Sequence, residues 1–145
     1  MRASRKAPGF VCGLTALAAA LIGTCTIVIG ASGTMTASPL LNVMGSRQRG
    51  GNVATATVNP QSLLCSILAL LDCYPISTPA PAGFAEANLA LSTIYRINGG
   101  ADTPGNMPTT VANGSTTVEV DLTATKAAGL FPAGAYQAQV VLRCE

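Results

Sequence analysis

The chain ends in an alternation that leaves little choice of local structure. Tyr136, Ala138, Val140, Leu142 and Cys144 are apolar, while Gln137, Gln139, Val141 and Arg143 stand between them, with Val141 the one apolar exception. A period of two marks a strand with one buried and one wet face. Pro132-Ala133-Gly134 supplies a turn that launches it. A strand that closes a chain needs a sheet to join, so the preceding sequence is read for its partners.

Residues 34–51 begin as an extended segment in which Met35, Ala37, Leu41 and Val43 are the apolar members, interrupted by Pro39. Proline removes a ladder donor and belongs at an edge or a bulge. A polar loop, Gly45-Ser46-Arg47-Gln48-Arg49-Gly50-Gly51, follows, then a β-branched run over residues 52–58 that reads as a strand. Asn59-Pro60 offers an N-cap and a first helical position. Leu63, Leu64, Ile67, Leu68 and Leu71 then share one helical face, so residues 60–72 are either a short buried helix or a hydrophobic loop. Pro75, Pro79 and Pro81 make residues 74–84 an edge strand or a connector.

Residues 88–98 place Leu89, Leu91, Thr93, Tyr95 and Ile97 on one strand face and end in Asn98-Gly99-Gly100, which tolerates positive φ. Residues 101–114 form a turn-rich loop. Residues 115–124 alternate most clearly, with Val118, Val120 and Leu122 inward and Thr117, Glu119, Asp121 and Thr123 outward. Five or six such strands with at most one helix predict an all-β fold. The expected form is an immunoglobulin-like antiparallel β-sandwich with one short helix or hydrophobic loop.

The first 33 residues read differently. Arg2, Arg5 and Lys6 precede an uncharged, mostly apolar run over residues 10–31, followed by small residues through Gly33. This is the pattern of a secretory signal, cleaved after Ala31 or Gly33. The run spans 22 residues. That exceeds the ~7–15 of an ordinary signal core and is enough to cross a bilayer, so an uncleaved membrane-anchor helix is the rival reading. Either way the positive-inside rule puts the remainder outside the cytoplasm, secreted or in the cell envelope. The expected organisation is a signal or anchor over 1–33 and an exported domain over 34–145. Cys25 invites a lipid-attachment reading, but Thr24 is a poor substitute for the small residue such a site wants before its cysteine.

The nominal charge of +2 rests on eight basic against six acidic residues, and three of the basic ones lie in the first six positions. Without them the body is near neutral, which argues against nucleic acid as a partner. The chain has no His, which excludes imidazole-dependent triads. Glu119 and Asp121 are close in sequence but sit on an outward strand face, as solvated surface rather than a catalytic pair. Arg47 and Arg49 read as loop charges before they read as an anion site. Asp102 and Asn106 lack a calcium-ligand pattern. Asn113-Gly114-Ser115 is a formal glycosylation sequon. The expectation is a non-enzymatic protein with no catalytic residues, no cofactor and no metal site.

Cys12 and Cys25 fall in the signal segment, leaving Cys65, Cys73 and Cys144 outside it. An oxidising compartment favours one disulfide among these. In a helix, Cys65 and Cys73 stand about 12 Å apart at ~1.5 Å per residue, beyond the ~7 Å a disulfide spans. Either the helix forms and Cys144 pairs with Cys65 or Cys73, with Cys73–Cys144 favoured, or the segment is a loop closed by Cys65–Cys73. Three scattered thiols without Cys-x-x-Cys make a poor zinc set.

The ending Leu130-Phe131-Pro132-Ala133-Gly134-Ala135-Tyr136, with the alternating strand after it, resembles the terminal Pro-Ala-Gly-x-Tyr strand of spore-coat-U-type and chaperone–usher pilin-like proteins. The order of an export signal, a Thr/Ala-rich strand, a cysteine and then weakly charged strands is similar too. Those proteins usually carry a tyrosine next to last, where Cys144 stands here, and their early cysteine pair is not cleanly matched. The resemblance implies a surface subunit with a structural or adhesive role, a sandwich completed by a strand from a neighbour. Met35, Ala37, Leu41 and Val43 would then be the donor-strand face. The implied partner is a second copy or an assembly protein. A monomeric extracellular binding module using loops 45–51 and 99–114, or a membrane-anchored envelope protein, is the alternative.

Overall fold

The structure, a computed structural model, describes residues 23–62, 74–81, 88–132, 136 and 138–145. Among these residues there are ten strands and no helix: β1 Thr24–Ile29, β2 Thr36–Ala37, β3 Val43–Gly45, β4 Ala54–Gln61, β5 Tyr74–Ser77, β6 Leu89–Ile97, β7 Thr103–Pro104, β8 Thr109–Val111, β9 Thr116–Lys126 and β10 Arg143–Cys144. All pairings are antiparallel, in one sheet of seven strands and one of three.

The larger sheet is built on β9. β6 pairs along one edge of β9, from Ile97↔Val118 to Leu89↔Lys126. The other edge is shared end to end. β4 takes residues 116–120 and β3 takes residues 123–125. β1 and β2 lie outside β4 and β3 respectively, and β7 outside β6. Between β3 and β4 the chain leaves the sheet as the loop 46–53. In the smaller sheet β5 lies between β10 and β8.

The two sheets share one apolar cluster, as in a sandwich. Val58, Val118, Val120 and Tyr95 come from the larger sheet, Ile76 and Val111 from the smaller. Val58, Val118 and Ile76 are fully buried, each contributing about 1.5–3 kcal/mol by leaving water. Tyr95 adds a polar tie across the sheets. Its hydroxyl donates toward the carbonyls of Met107 (2.7 Å) and Ile76 (3.2 Å) and shares a hydrogen bond with Thr109 (2.7 Å). Beside it, Gly105 accepts from Thr78 N and donates to Thr93 O, joining the two sheets again where the chain crosses from β7 to β8.

A second cluster lies toward the far end of β9. Met44, Ala124 and Phe131 are buried there, with Met35, Leu89, Leu91 and Tyr136 packed against them. Phe131 and Tyr136 meet edge to face at 5.7 Å, Lys126 Nζ lies 5.1 Å from the Phe131 ring centre, and Tyr136 donates to Pro132 O at 2.6 Å. Phe131 and Tyr136, from the stretch that carries the pilin-like resemblance, thus close the end of a core.

Several sequence expectations are met. β6 and β9 carry the predicted inward faces, and Asn98 and Gly99 have φ of 49° and 69° in a turn closed by Gly100 N to Ile97 O. Others are corrected. The larger sheet begins at Thr24, not at residue 34, because the last part of the apolar run is β1. β4 continues through Asn59-Pro60, where a helix was expected to start. Pro60 fits because its carbonyl, and so its missing N–H, faces Gly114 rather than β1; residues 63–73, the remainder of that helix, lie outside the described residues. β5 is central despite Pro75. The missing donor of Pro75 is on the side of Glu145, whose N–H donates to the Pro75 carbonyl at 3.1 Å. The loop 101–114 hides β7 and β8.

The closing stretch keeps its alternation, with residues 138, 140, 142 and 144 half-buried and 139, 141, 143 and 145 exposed. Only Arg143 and Cys144 are laddered, since Pro79 and Pro81 follow β5 where more partners would stand. Cys144 does point inward, but its partner is Cys25, with the Cα atoms 6.3 Å apart, not Cys73. Placing Cys25 in the signal segment had removed it from the choice. Cys65 and Cys73, the other pairing considered, lie outside the described residues. The same bond leaves the Cys25 sulfur with no valence for a lipid. Replacing Cys25 and Cys144 by Ser is expected to lower the unfolding free energy by about 2–5 kcal/mol. Urea titration checks this, and a Cys25–Cys144 peptide should appear in a non-reduced digest.

Candidate functional site

The outward face of β9 is the first place to look for chemistry, since it holds Glu119 and Asp121. Asp121 is not solvated: its side chain is 2 % exposed. The loop 46–53 folds over it. Ser46 Oγ donates to Asp121 Oδ1 at 2.7 Å and accepts from Leu122 N at 3.2 Å. Arg47 Nε donates to Asp121 Oδ2 at 2.7 Å, and its two terminal nitrogens clamp Asp102 at 2.6 Å each. Arg96 on β6 reaches Glu119 at 3.1 Å and Asp121 at 3.5 Å. Its Nε is buried without a hydrogen bond, 3.8 Å from Asp102.

This network is two guanidinium groups against three carboxylates. Such bidentate, charge-assisted pairs hold geometry well. The Asp102 contact, then Asp121, raises the Arg47 pKa further above its already high value. Arg47 in turn holds the Asp102 carboxyl below the usual carboxylate range. Neither the anion-site nor the solvated-loop reading of Arg47 describes it, because carboxylates already occupy its donors. The chemistry available is that of a clasp, which seats the loop between β3 and β4 on the sheet. Arg49 is exposed, and its carbonyl accepts from Thr36 Oγ1 at 3.1 Å. Asp102 and Asn106 are not gathered into a metal set, and no cluster of potential metal ligands occurs among the described residues.

The second place is the side of the sandwich opposite the β7–β8 crossing. There both sheets end: the larger at β1, the smaller at β10. Cys25–Cys144 ties the two edges. From the tie β1 runs on through Ile27 to Ile29, while the closing stretch runs back through Leu142 and Val140. Glu145 donates to Pro75 O, so by alternation the backbone groups of Cys144 point away from β5. Among the described residues no backbone hydrogen bond holds residues 138–142. β1 likewise pairs on one edge alone. Apolar side chains stay exposed along this side: Ile29 at 72 %, Val28 at 59 % and Val141 at 52 %. Ile29 shares the inward face of Cys25 and Ile27, yet nothing described covers it.

The segment expected to donate a strand is not a free arm. Ala37 lies in β2 and Val43 in β3, Met35 packs on the second cluster, and Leu41 has φ 55° in the turn between them. Leu41 N donates to Ser38 O at 2.9 Å, so Pro39 sits in a hairpin turn and the four side chains do not share one strand face.

A third feature is a depression of about 410 Å³ on the outer face of the smaller sheet. Pro75, Ser77, Pro79 and Pro108 line it, with Arg143 and Glu145 at β10. Its loop residues Gly105 and Asn106 belong to the stretch 99–114. At the sequon, Asn113 Nδ2 donates to Ser62 O at 2.7 Å and its Oδ1 accepts from Ser62 N at 3.0 Å. No helix among the described residues is long and apolar enough to cross a membrane.

Sequence reasoning missed both the clasp and the open side. Periodicity put Asp121 on the outward face correctly, but the loop that returns to cover that face and bury Asp121 leaves no periodic signal. Comparison with protein-family models, curated proteins and solved structures gives no match.

Replacing Arg47 by Met would leave Asp121 buried with a weaker partner, a loss of about 1–3 kcal/mol. The lower end is expected, because Arg47 is 40 % exposed and solvent screens it. Asp102 contributes with the sign of a depressed carboxyl. Its pairing stabilises the fold at neutral pH and is lost as pH falls through the lowered folded value. Asp102→Asn should therefore be less stable than the parent at neutral pH, and the gap should close in acid. Urea midpoints across pH measure both.

Proposed function

We propose that this chain is an exported, non-enzymatic subunit of a cell-surface structure. In this reading it has an immunoglobulin-like sandwich and associates with further copies of itself by strand addition at the open side. The supporting observation is the pair of edges, β1 and residues 138–142, that have no partner among the described residues, held together by Cys25–Cys144 and fringed by exposed Val28, Ile29 and Val141. Unpaired edges of this kind template a further strand. In strand addition, backbone hydrogen bonds supply affinity and alternate apolar pockets supply register. The resemblance of the Pro132-Ala133-Gly134-Ala135-Tyr136 ending to pilin-like proteins points the same way. The incoming strand is not assigned to Met35, Ala37, Leu41 and Val43, which are engaged in the hairpin of their own chain.

A monomeric binding module is the second reading, favoured by the depression lined by Pro75, Pro79 and Pro108. Size separates the two. The exported protein should form concentration-dependent ladders or fibres in sizing and electron microscopy. Ile29→Lys places a charge on an exposed apolar position and should abolish the ladders while leaving the melting temperature unchanged. A single monomeric species at every concentration, for parent and variant alike, would favour the binding module instead.

A further inference from the structure

The small residues at 30–33 have two explanations. As sequence they suggest the end of an export signal. In the fold the two glycines among them, Gly30 and Gly33, lie against β4 with almost no clearance. A Cβ on Gly33 would stand 2.8 Å from Ala54 N and 3.0 Å from Asn52 O, and one on Gly30 would stand 2.6 Å from Thr55 Oγ1. The segment is also hydrogen-bonded at Gly30, Ala31 and Thr34. Gly30 N donates to Thr55 O (2.8 Å), Ala31 N to Thr55 Oγ1 (2.9 Å) and Thr55 N to Ala31 O (2.9 Å). Thr34 and Asn52 exchange both backbone bonds at 2.9 and 3.0 Å. Small size at Gly30 and Gly33 is a packing requirement of the edge, so at these two positions it is not evidence for peptidase recognition.

Cleavage after Ala31 or Gly33 would take β1 away with the leader. The domain would lose a strand paired at six positions with β4, and Cys25 and Ile27 from the core. Cys144 would lose its disulfide partner. Leaders are cut while the chain is still unfolded, so the folded ladder does not shield those bonds. What matters is which residues the exported chain must keep.

From these observations we infer that the leader is removed upstream of β1, at the Ala20–Leu21 bond. Hydrolysis there adds water across one amide and leaves a carboxylate on Ala20 and an amine on Leu21. Ala18 and Ala20 supply the small residues at −3 and −1 that such a peptidase reads. The apolar core ahead of them, residues 10–17, is then of ordinary length at eight residues, within the ~7–15 of a signal core. The excess length of the run over residues 10–31 is accounted for, since its last part is a strand. The inference rests on the reading of the chain as exported, and it makes export and disulfide formation parts of one design. The residue that closes the open side travels just behind the cut.

The test expresses the full chain and recovers it from outside the cytoplasm for N-terminal sequencing and intact mass. The expected chain begins at Leu21 and yields a Cys25–Cys144 peptide before reduction; a start elsewhere between residues 19 and 24 still supports cleavage upstream of β1. Ala18→Lys with Ala20→Lys should accumulate the uncut precursor. Ala31→Lys, at an exposed position, should leave the start at Leu21. An exported chain that begins at Ser32 or Thr34, or keeps Met1, overturns the inference and spares the export reading. A chain found solely in the cytoplasm overturns both.

Discussion

The bond between Cys25 and Cys144 joins the first described strand to the next-to-last residue, and with them the two sheets. On the opposite side the chain itself performs the joining, crossing from β7 to β8 while Gly105 and the Tyr95 hydroxyl tie both layers. Between these two seams the apolar cluster of Val58, Ile76, Tyr95 and Val118 is held shut. A body of this size buries a modest core. A cross-link between residues 119 positions apart acts mainly on the unfolded chain, removing conformational freedom that folding would otherwise have to overcome.

The two sides of β9 divide the work. Its inward face fills the core. Its outward face carries Asp121, around which Ser46, Arg47 and Arg96 converge. That convergence explains why β3 and β4 behave as one long strand with an excursion in the middle. The excursion is fastened to the sheet by charge, and its backbone returns in register to pair with the lower half of β9. A buried carboxylate costs free energy unless it is paired and hydrogen-bonded. Here the pairing fixes which loop conformation can cover the sheet.

What could be read in the sequence follows from the range of each signal. Periodicity is local, so β6, β9 and the inward set Val140, Leu142 and Cys144 were legible. Proline reasoning was half right. Pro39 does interrupt its segment, yet Pro60 and Pro75 sit inside strands, where their carbonyls still accept from Gly114 and Glu145. The short strands Thr103–Pro104 and Thr109–Val111 were hidden by the turn residues around them. The candidate site was not legible, because it depends on contacts between distant segments. Asp121 is covered from residue 46, and Cys144 is matched from residue 25. Hydrophobicity also misled near the N-terminus, where the apolar run over residues 10–31 continues without a break into an edge strand.

That continuity bears on the proposed assembly. β1 and the closing stretch are adjacent, but their tie holds Cα atoms 6.3 Å apart, wider than the about 4.5–5.5 Å of directly paired antiparallel residues. The disulfide therefore joins the two edges without letting them satisfy each other as a ladder. Among the described residues, nothing pairs with the outer backbone groups of either edge or covers Ile29 on the inward face. Had hydrogen bonds closed this side instead, the sandwich would be sealed and no strand could be added. A single covalent tie at one end keeps the edges near each other and open along the rest of their length. In the proposed function, that geometry lets a neighbour's strand complete the fold, and retention of Cys25 in the exported chain is what preserves it.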